Sequence, residues 1–83
     1  MITMQIPMRE EYLFSQENAS ALAFMLSRFE ASVMIHDQNR TVNAKSLLGI
    51  LSLGYVQSEQ LEFIIDGADE NDVRAALIDH FSD

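Results

Sequence analysis

Few side chains in this sequence are suited to chemistry. There is no cysteine, and the two histidines, His36 and His80, are far apart. Among the serines, Ser15 and Ser46 each stand just ahead of an apolar segment, where a serine caps a helix by accepting a backbone N–H bond. Ser46 has the more unusual setting. In "NAKSLLGILSLG" (43–54) it follows Lys45 and precedes five bulky apolar residues, a run broken by Gly49 and closed by Gly54. As chemistry, its hydroxyl is a candidate target displayed beside an apolar surface, with Lys45 adjacent. As structure, the same hydroxyl contributes about 0.5–2 kcal/mol as a cap and nothing more. His36 falls on the outward side of an expected strand and His80 near the apolar stripe of an expected helix. No third group converges on either, and two separated histidines make no metal motif. Neither a metal nor a cofactor is expected.

The elements that must position these serines are read from charge and periodicity. At 83 residues the chain is one domain with a single modest core. Thirteen acidic residues against five basic ones give a net charge of −8, a field that repels phosphate backbones and anionic membranes. Nucleic-acid and membrane binding are therefore disfavoured, and a basic protein surface is the better partner. No apolar run approaches the ~20 residues of a membrane span, and no leader pattern is evident, so a cytoplasmic location is expected.

Ile2, Met4, Ile6 and Met8 alternate with Thr3, Gln5 and Pro7, predicting a strand that Pro7 confines to a sheet edge or ends. In "SQENASALAFMLSRF" the residues Ala19, Leu22, Ala23, Leu26 and Phe29 share one helical face, with Ser15 as N-cap and Glu17 in the first turn. Ser32–His36 predicts a second strand, "DQNR" (37–40) a turn with Asn39 at positive φ, and Thr41–Ala44 a third strand. Leu61, Phe63 and Ile65 mark a fourth strand. "GADENDVRAALIDHF" then predicts a helix capped near Asp69, with Val73, Ala76, Leu77, His80 and Phe81 on its stripe. With the short helix after Ser46, the order is βαββαβα: an α+β, open-faced β-sandwich whose four-stranded antiparallel sheet carries helices on one face.

In that order, "SRFEASVMI" (27–35), "TVNAKSLLGILSLG" (41–54) and "GADENDVRAAL" (67–77) resemble the HPr family, the phosphocarrier proteins of the bacterial sugar phosphotransferase system. The resemblance runs essentially end to end. It implies the open-faced sandwich and protein partners, and it places Ser15 where the family has its phosphoryl-accepting histidine. Phosphocarrying members read histidine, a small residue, arginine and proline there; this chain reads Ser15, Gln16, Glu17 and Asn18. Acceptor and cation are both replaced. A phosphoramidate passes its phosphoryl group on readily, whereas a serine phosphoester is stable, and Glu17 repels the phosphate an arginine would clamp. The resemblance also places Ser46 where one branch of the family has a regulatory serine, the substrate of the HPr kinase/phosphorylase. The modified form there serves a catabolite control transcription factor. Crh-type members, without the histidine and with the serine, are the arrangement this chain is most similar to.

On the helical wheel of the first helix, Phe24 points about 150° from the core direction at ~100° per residue, so it is expected to be exposed. Placed by the family fold beside the short helix, Phe24, Leu47, Leu48 and Leu51 form an expected apolar partner face, with Ile50 and Leu53 in the core. Glu17 and Lys45 border it. A phosphate on Ser46 close to Glu17 would be repelled by on the order of 2 kcal/mol per charge pair at ~8 Å. The expectation is thus a non-enzymatic HPr-like regulatory or adaptor protein, without histidyl phosphotransfer, with Ser46 as modification candidate. The alternatives are a working phosphocarrier and an unmodified scaffold whose patch is a homodimer contact.

Overall fold

The structure, a computed structural model, describes residues 1–9 and 12–82. Among these residues four strands and three helices follow the expected order: β1 (Ile2–Pro7), α1 (Gln16–Leu26), β2 (Ser32–Asp37), β3 (Arg40–Asn43), α2 (Leu47–Leu53), β4 (Gln60–Asp66) and α3 (Glu70–His80). The sheet is antiparallel throughout in the order β1-β4-β2-β3, so Pro7 lies on an edge strand, where its missing N–H is tolerated.

Period-2 alternation turns one residue set of each strand toward the helices. Met4, Phe63, Ile35 and Val42 lie opposite one another across all four strands, and Ile2, Ile65 and Val33 form the next row. Against them pack Ala19, Leu22 and Leu26 of α1, Ile50 and Leu53 of α2, and Val73 and Leu77 of α3, all buried. Each fully buried Leu, Ile or Phe contributes roughly 1.5–3 kcal/mol from removed apolar surface. Thr3, Gln5, Ser32, Met34, His36, Glu62 and Ile64 occupy the alternate positions on the sheet's other face. An aromatic group closes one end of the core, with Tyr12 edge-on to Phe14 at 5.2 Å and to Phe81 at 6.2 Å.

Four local expectations change. The positive φ of the β2–β3 turn is at Gln38 (59°), not Asn39. Asp37 and Arg40 belong to the strands, and Asp37 is wholly buried instead of being a turn residue. Helix α1 ends at Leu26, so Phe29 packs on the core from beyond it. Asp69 is the N-cap residue of α3 but makes no side-chain cap bond. Its carboxylate instead accepts from the N–H groups of Glu30 (2.9 Å) and Ala31 (2.8 Å), and these bonds hold it below the usual carboxylate range, with Lys45 adding to the effect.

Candidate functional site

Helix α1 begins where Ser15, in extended conformation, accepts the Asn18 N–H at 3.2 Å. The Asn18 side chain reaches back to the Leu13 carbonyl at 2.9 Å, bracing the approach to the helix. Ser15, Gln16, Glu17 and Ser20 line a shallow open depression. Among the described residues its lining is one carboxylate, one carboxamide and two hydroxyls. Glu17 is exposed.

Ser46 likewise caps α2, accepting the Gly49 N–H at 3.1 Å. Asn43 prepares the turn: its carbonyl accepts the Ser46 N–H at 3.0 Å and its side chain the Lys45 N–H at 2.8 Å. The glycine at 49 keeps this turn close: a Cβ there would stand 3.3 Å from the Ser46 hydroxyl and 3.2 Å from the Asn43 carbonyl, a tight contact that calls for a small shift of its neighbours. The Ser46 side chain is half-buried, and Lys45 does not rest on it. The Lys45 ammonium donates to the Phe29 carbonyl at 2.6 Å, tying α2 to the chain just past α1.

Helices α1 and α2 pack together. Phe24 (75% exposed) and Leu48 (79%) are the most open apolar side chains on them, and Leu47 is 37% exposed. Leu51 is half-buried against the core, as its position one turn after Leu47 allows, while Ile50 and Leu53 are buried. Pattern reading missed Leu13 and Tyr55. These exposed residues form an isolated antiparallel bridge, with Phe14 N–H donating to Gly54 carbonyl at 2.8 Å alongside. The bridge joins the chain ahead of α1 to the chain after α2. A single-residue bridge has no period, so only the Gly54-Tyr55 pair closing the helix could have hinted at it.

His36 and His80 do not meet. His36 Nδ1 lies 2.8 Å from the Thr41 hydroxyl on the sheet's outer face. His80 stacks edge-on against Phe81, and burial holds it below the ordinary histidine range, partly opposed by Asp79. Among the described residues no cluster of three potential metal ligands exists, and no helix is long and apolar enough to cross a membrane.

A family model described as the HPr component phosphorylation site of the phosphotransferase system matches residues 15–83. The chain belongs to the HPr family. Among solved structures it is similar to HPr-C-His from Thermoanaerobacter tengcongensis, at 29% identity over 95% of this chain and 89% of that one, with a TM-score of 0.83. The Bacillus anthracis phosphocarrier HPr shares the fold at 23% identity over 98% and 96% of the two chains, with a TM-score of 0.84. Crh of Bacillus subtilis shares it at 24% identity over 96% and 92%, with a TM-score of 0.73. Family membership makes this an HPr-like phosphocarrier or regulatory protein, in a class that acts through protein partners.

Proposed function

We propose that this HPr-family member is a regulatory or adaptor protein that does not carry phosphoryl groups on histidine, and that it acts through the face of Phe24, Leu47, Leu48 and Leu51. The observation that carries this is the start of α1: the matched domain begins at Ser15, in a depression lined by Glu17 and two hydroxyl groups. A carrier needs a labile acceptor and a cation there. Both histidines of the chain lie elsewhere, one on the outer sheet face and one against Phe81. The exposed Phe24 and Leu48 supply what an adaptor needs, an apolar contact open to solvent.

Ser46 is the proposed regulatory acceptor. The γ-phosphoryl group of ATP would pass to its Oγ, releasing ADP and the hydroxyl proton. The cap bond to Gly49 would then involve a phosphate oxygen, changing the charge at the border of the apolar face while leaving the core untouched. A kinase of the HPr type and a transcription factor with a basic docking surface are the proposed partners, consistent with a net charge of −8.

The test is incubation with phosphoenolpyruvate and the general phosphotransferase enzyme in one arm, and with an HPr kinase and ATP in the other, followed by mass mapping. The expected result is no acid-labile phosphohistidine in the first arm and phosphate on Ser46 in the second. A phosphohistidine would overturn the adaptor reading; an unmodified Ser46 would remove its regulation.

A further inference from the structure

A groove runs between the edge strand β1 and helix α3, lined by Ile2, Met4, Ile6, Arg74, Ile78 and Phe81, with Ile78 51% exposed. Unpaired backbone borders it. The Met8 N–H donates to the Glu59 carbonyl at 2.9 Å, in register with the β1–β4 pairs, and bonded and non-bonded pairs alternate along an antiparallel ladder. Ile2, Met4 and Ile6 therefore bond to β4, while the N–H and C=O groups of Thr3 and Gln5 point outward, with no strand beside them among the described residues. In a chain with thirteen acidic residues, the described lining of this groove holds one cation, Arg74, and no carboxylate. Arg28, Arg40 and Lys45 each donate to a carbonyl or carboxylate of this chain. The exposed Arg74 guanidinium meets neither among the described residues.

We propose that this groove docks an extended segment of another protein, added to β1 as a further strand, with a carboxylate opposite Arg74 and an aliphatic side chain two residues away. Charge selects the occupant. An apolar groove with one unmatched cation and no anion takes a carboxylate without any like-charge contact. A second copy of β1 carries no carboxylate, so it would leave Arg74 unmatched while adding a further −8 of charge. The same net charge makes the partner segment basic outside the groove. Spacing sets the motif: Arg74 and Ile78 lie one turn apart on α3, about 6 Å along its axis, and two residues of a strand span about 6.6 Å. A carboxylate at Arg74 therefore sets the next groove-facing side chain against Ile78. Thr3 and Gln5 supply the two donors and two acceptors of the ladder, and Pro7, without an N–H, ends the donors.

Salt screens both the Arg74–carboxylate pair and the attraction of basic flanks to this acidic chain, so binding weakens as salt rises. Self-pairing of like-charged copies would strengthen instead. Helix α2 packs on β3, at the far edge of the sheet from β1, so the groove stands apart from the Ser46 surface. The two surfaces together let one adaptor hold two proteins.

The probe is the acetylated, amidated peptide Lys-Lys-Val-Thr-Glu-Thr-Val-Lys-Lys, whose valines flank the glutamate so that either strand direction sets one of them against Ile78. Amide NMR titration of the full chain reads affinity and location together. The expected result is a dissociation constant of about 100 μM or lower at about 50 mM salt, rising at about 500 mM, with peptide-dependent hydrogen-exchange protection of the Thr3 and Gln5 amides. Glutamine in place of the peptide's glutamate should weaken binding about threefold, and that difference should vanish in Arg74→Gln. Serine in place of both valines should weaken it at least about tenfold, and Leu48→Ser should change nothing. No binding at about 1 mM peptide, equal affinity for the glutamate and glutamine peptides, or a site that moves other amides and responds to Leu48→Ser would overturn the proposal. So would protection of Thr3 and Gln5 that grows with protein concentration alone, the mark of a second copy on this edge.

Discussion

The Arg40 guanidinium donates to the Asp37 carboxylate at 2.7 Å across the β2–β3 turn, and the Asp37 side chain is entirely buried. Arg40 also donates to the Leu53 carbonyl at 2.9 Å. The second half of the arrangement comes from the chain before β4, where the Gln57 N–H (2.9 Å), the Ser58 N–H (3.0 Å) and the Ser58 hydroxyl (2.6 Å) all reach Asp37. One carboxylate thus pins the hairpin, the end of α2 and the α2–β4 connection.

Burial would push the Asp37 carboxyl up, but the bonds from Gln57, Ser58 and Arg40 together outweigh it and hold the group below its ordinary 3.8. A lowered native value means that its stabilisation is present above the unfolded value and is lost as pH falls through the native one. Melting temperature should therefore fall below about pH 4. Asp37→Asn should cost about 2–4 kcal/mol at neutral pH, by leaving Arg40 without its counter-charge, and should flatten that acid limb. Urea titrations at several pH values measure both effects.

A Cβ on Gly67 would stand 2.5 Å from Ala31 Cα, in a backbone with φ of +158°. Asp69 binds the N–H groups of the same 30–31 segment, so the β4–α3 turn has little room to move away. Gly67→Ala should destabilise by about 2–3 kcal/mol in chemical denaturation.

Cap and acceptor roles separate at Ser46. Ser46→Ala should lose the bond to Gly49 and about 0.5–2 kcal/mol, whereas Ser46→Asn keeps a capping oxygen and stays near wild-type stability. Both should abolish kinase-dependent phosphate incorporation at this position, measured by intact mass.

Phe24 and Leu48 are exposed enough that serine at either position should change stability by no more than about 0.5 kcal/mol. Loss of partner capture without loss of melting temperature is the expected outcome of pull-down and thermal-denaturation measurements on the two variants.

His80 titrates below its ordinary 6.5 because burial disfavours its charged form. The unfolded chain takes up that proton more readily, so stability is full above the unfolded value and declines as pH falls through it. His80→Gln should remove this slope from melting temperatures recorded between about pH 5 and about pH 7.

The elements were legible in the sequence wherever one period dominates. Alternation at Ile2, Met4 and Ile6, and at Leu61, Phe63 and Ile65, marks half-buried strands, and the spacing of Ala19, Leu22 and Leu26 marks one helix face. These patterns reflect a local choice of side for each residue, which requires no knowledge of the neighbouring element. The serine caps at 15 and 46 were readable for the same reason, since donor and acceptor lie three residues apart.

What only the tertiary structure decided involves partners far apart in the chain. Asp37 reads as a turn residue in the sequence, but donors from Gln57 and Ser58 bury it in the fold; Asp69 is the N-cap residue of α3 as the sequence predicts, but Glu30 and Ala31 claim its carboxylate. Lys45 is adjacent to Ser46 in the sequence, and packing sets its ammonium against the Phe29 carbonyl instead. A buried polar group takes whichever donors the fold brings to it, and its alternatives cost too much to leave unmet. Local periodicity therefore determined the strands and helices of this protein, and long-range hydrogen-bond satisfaction decided which of its charges hold the fold together.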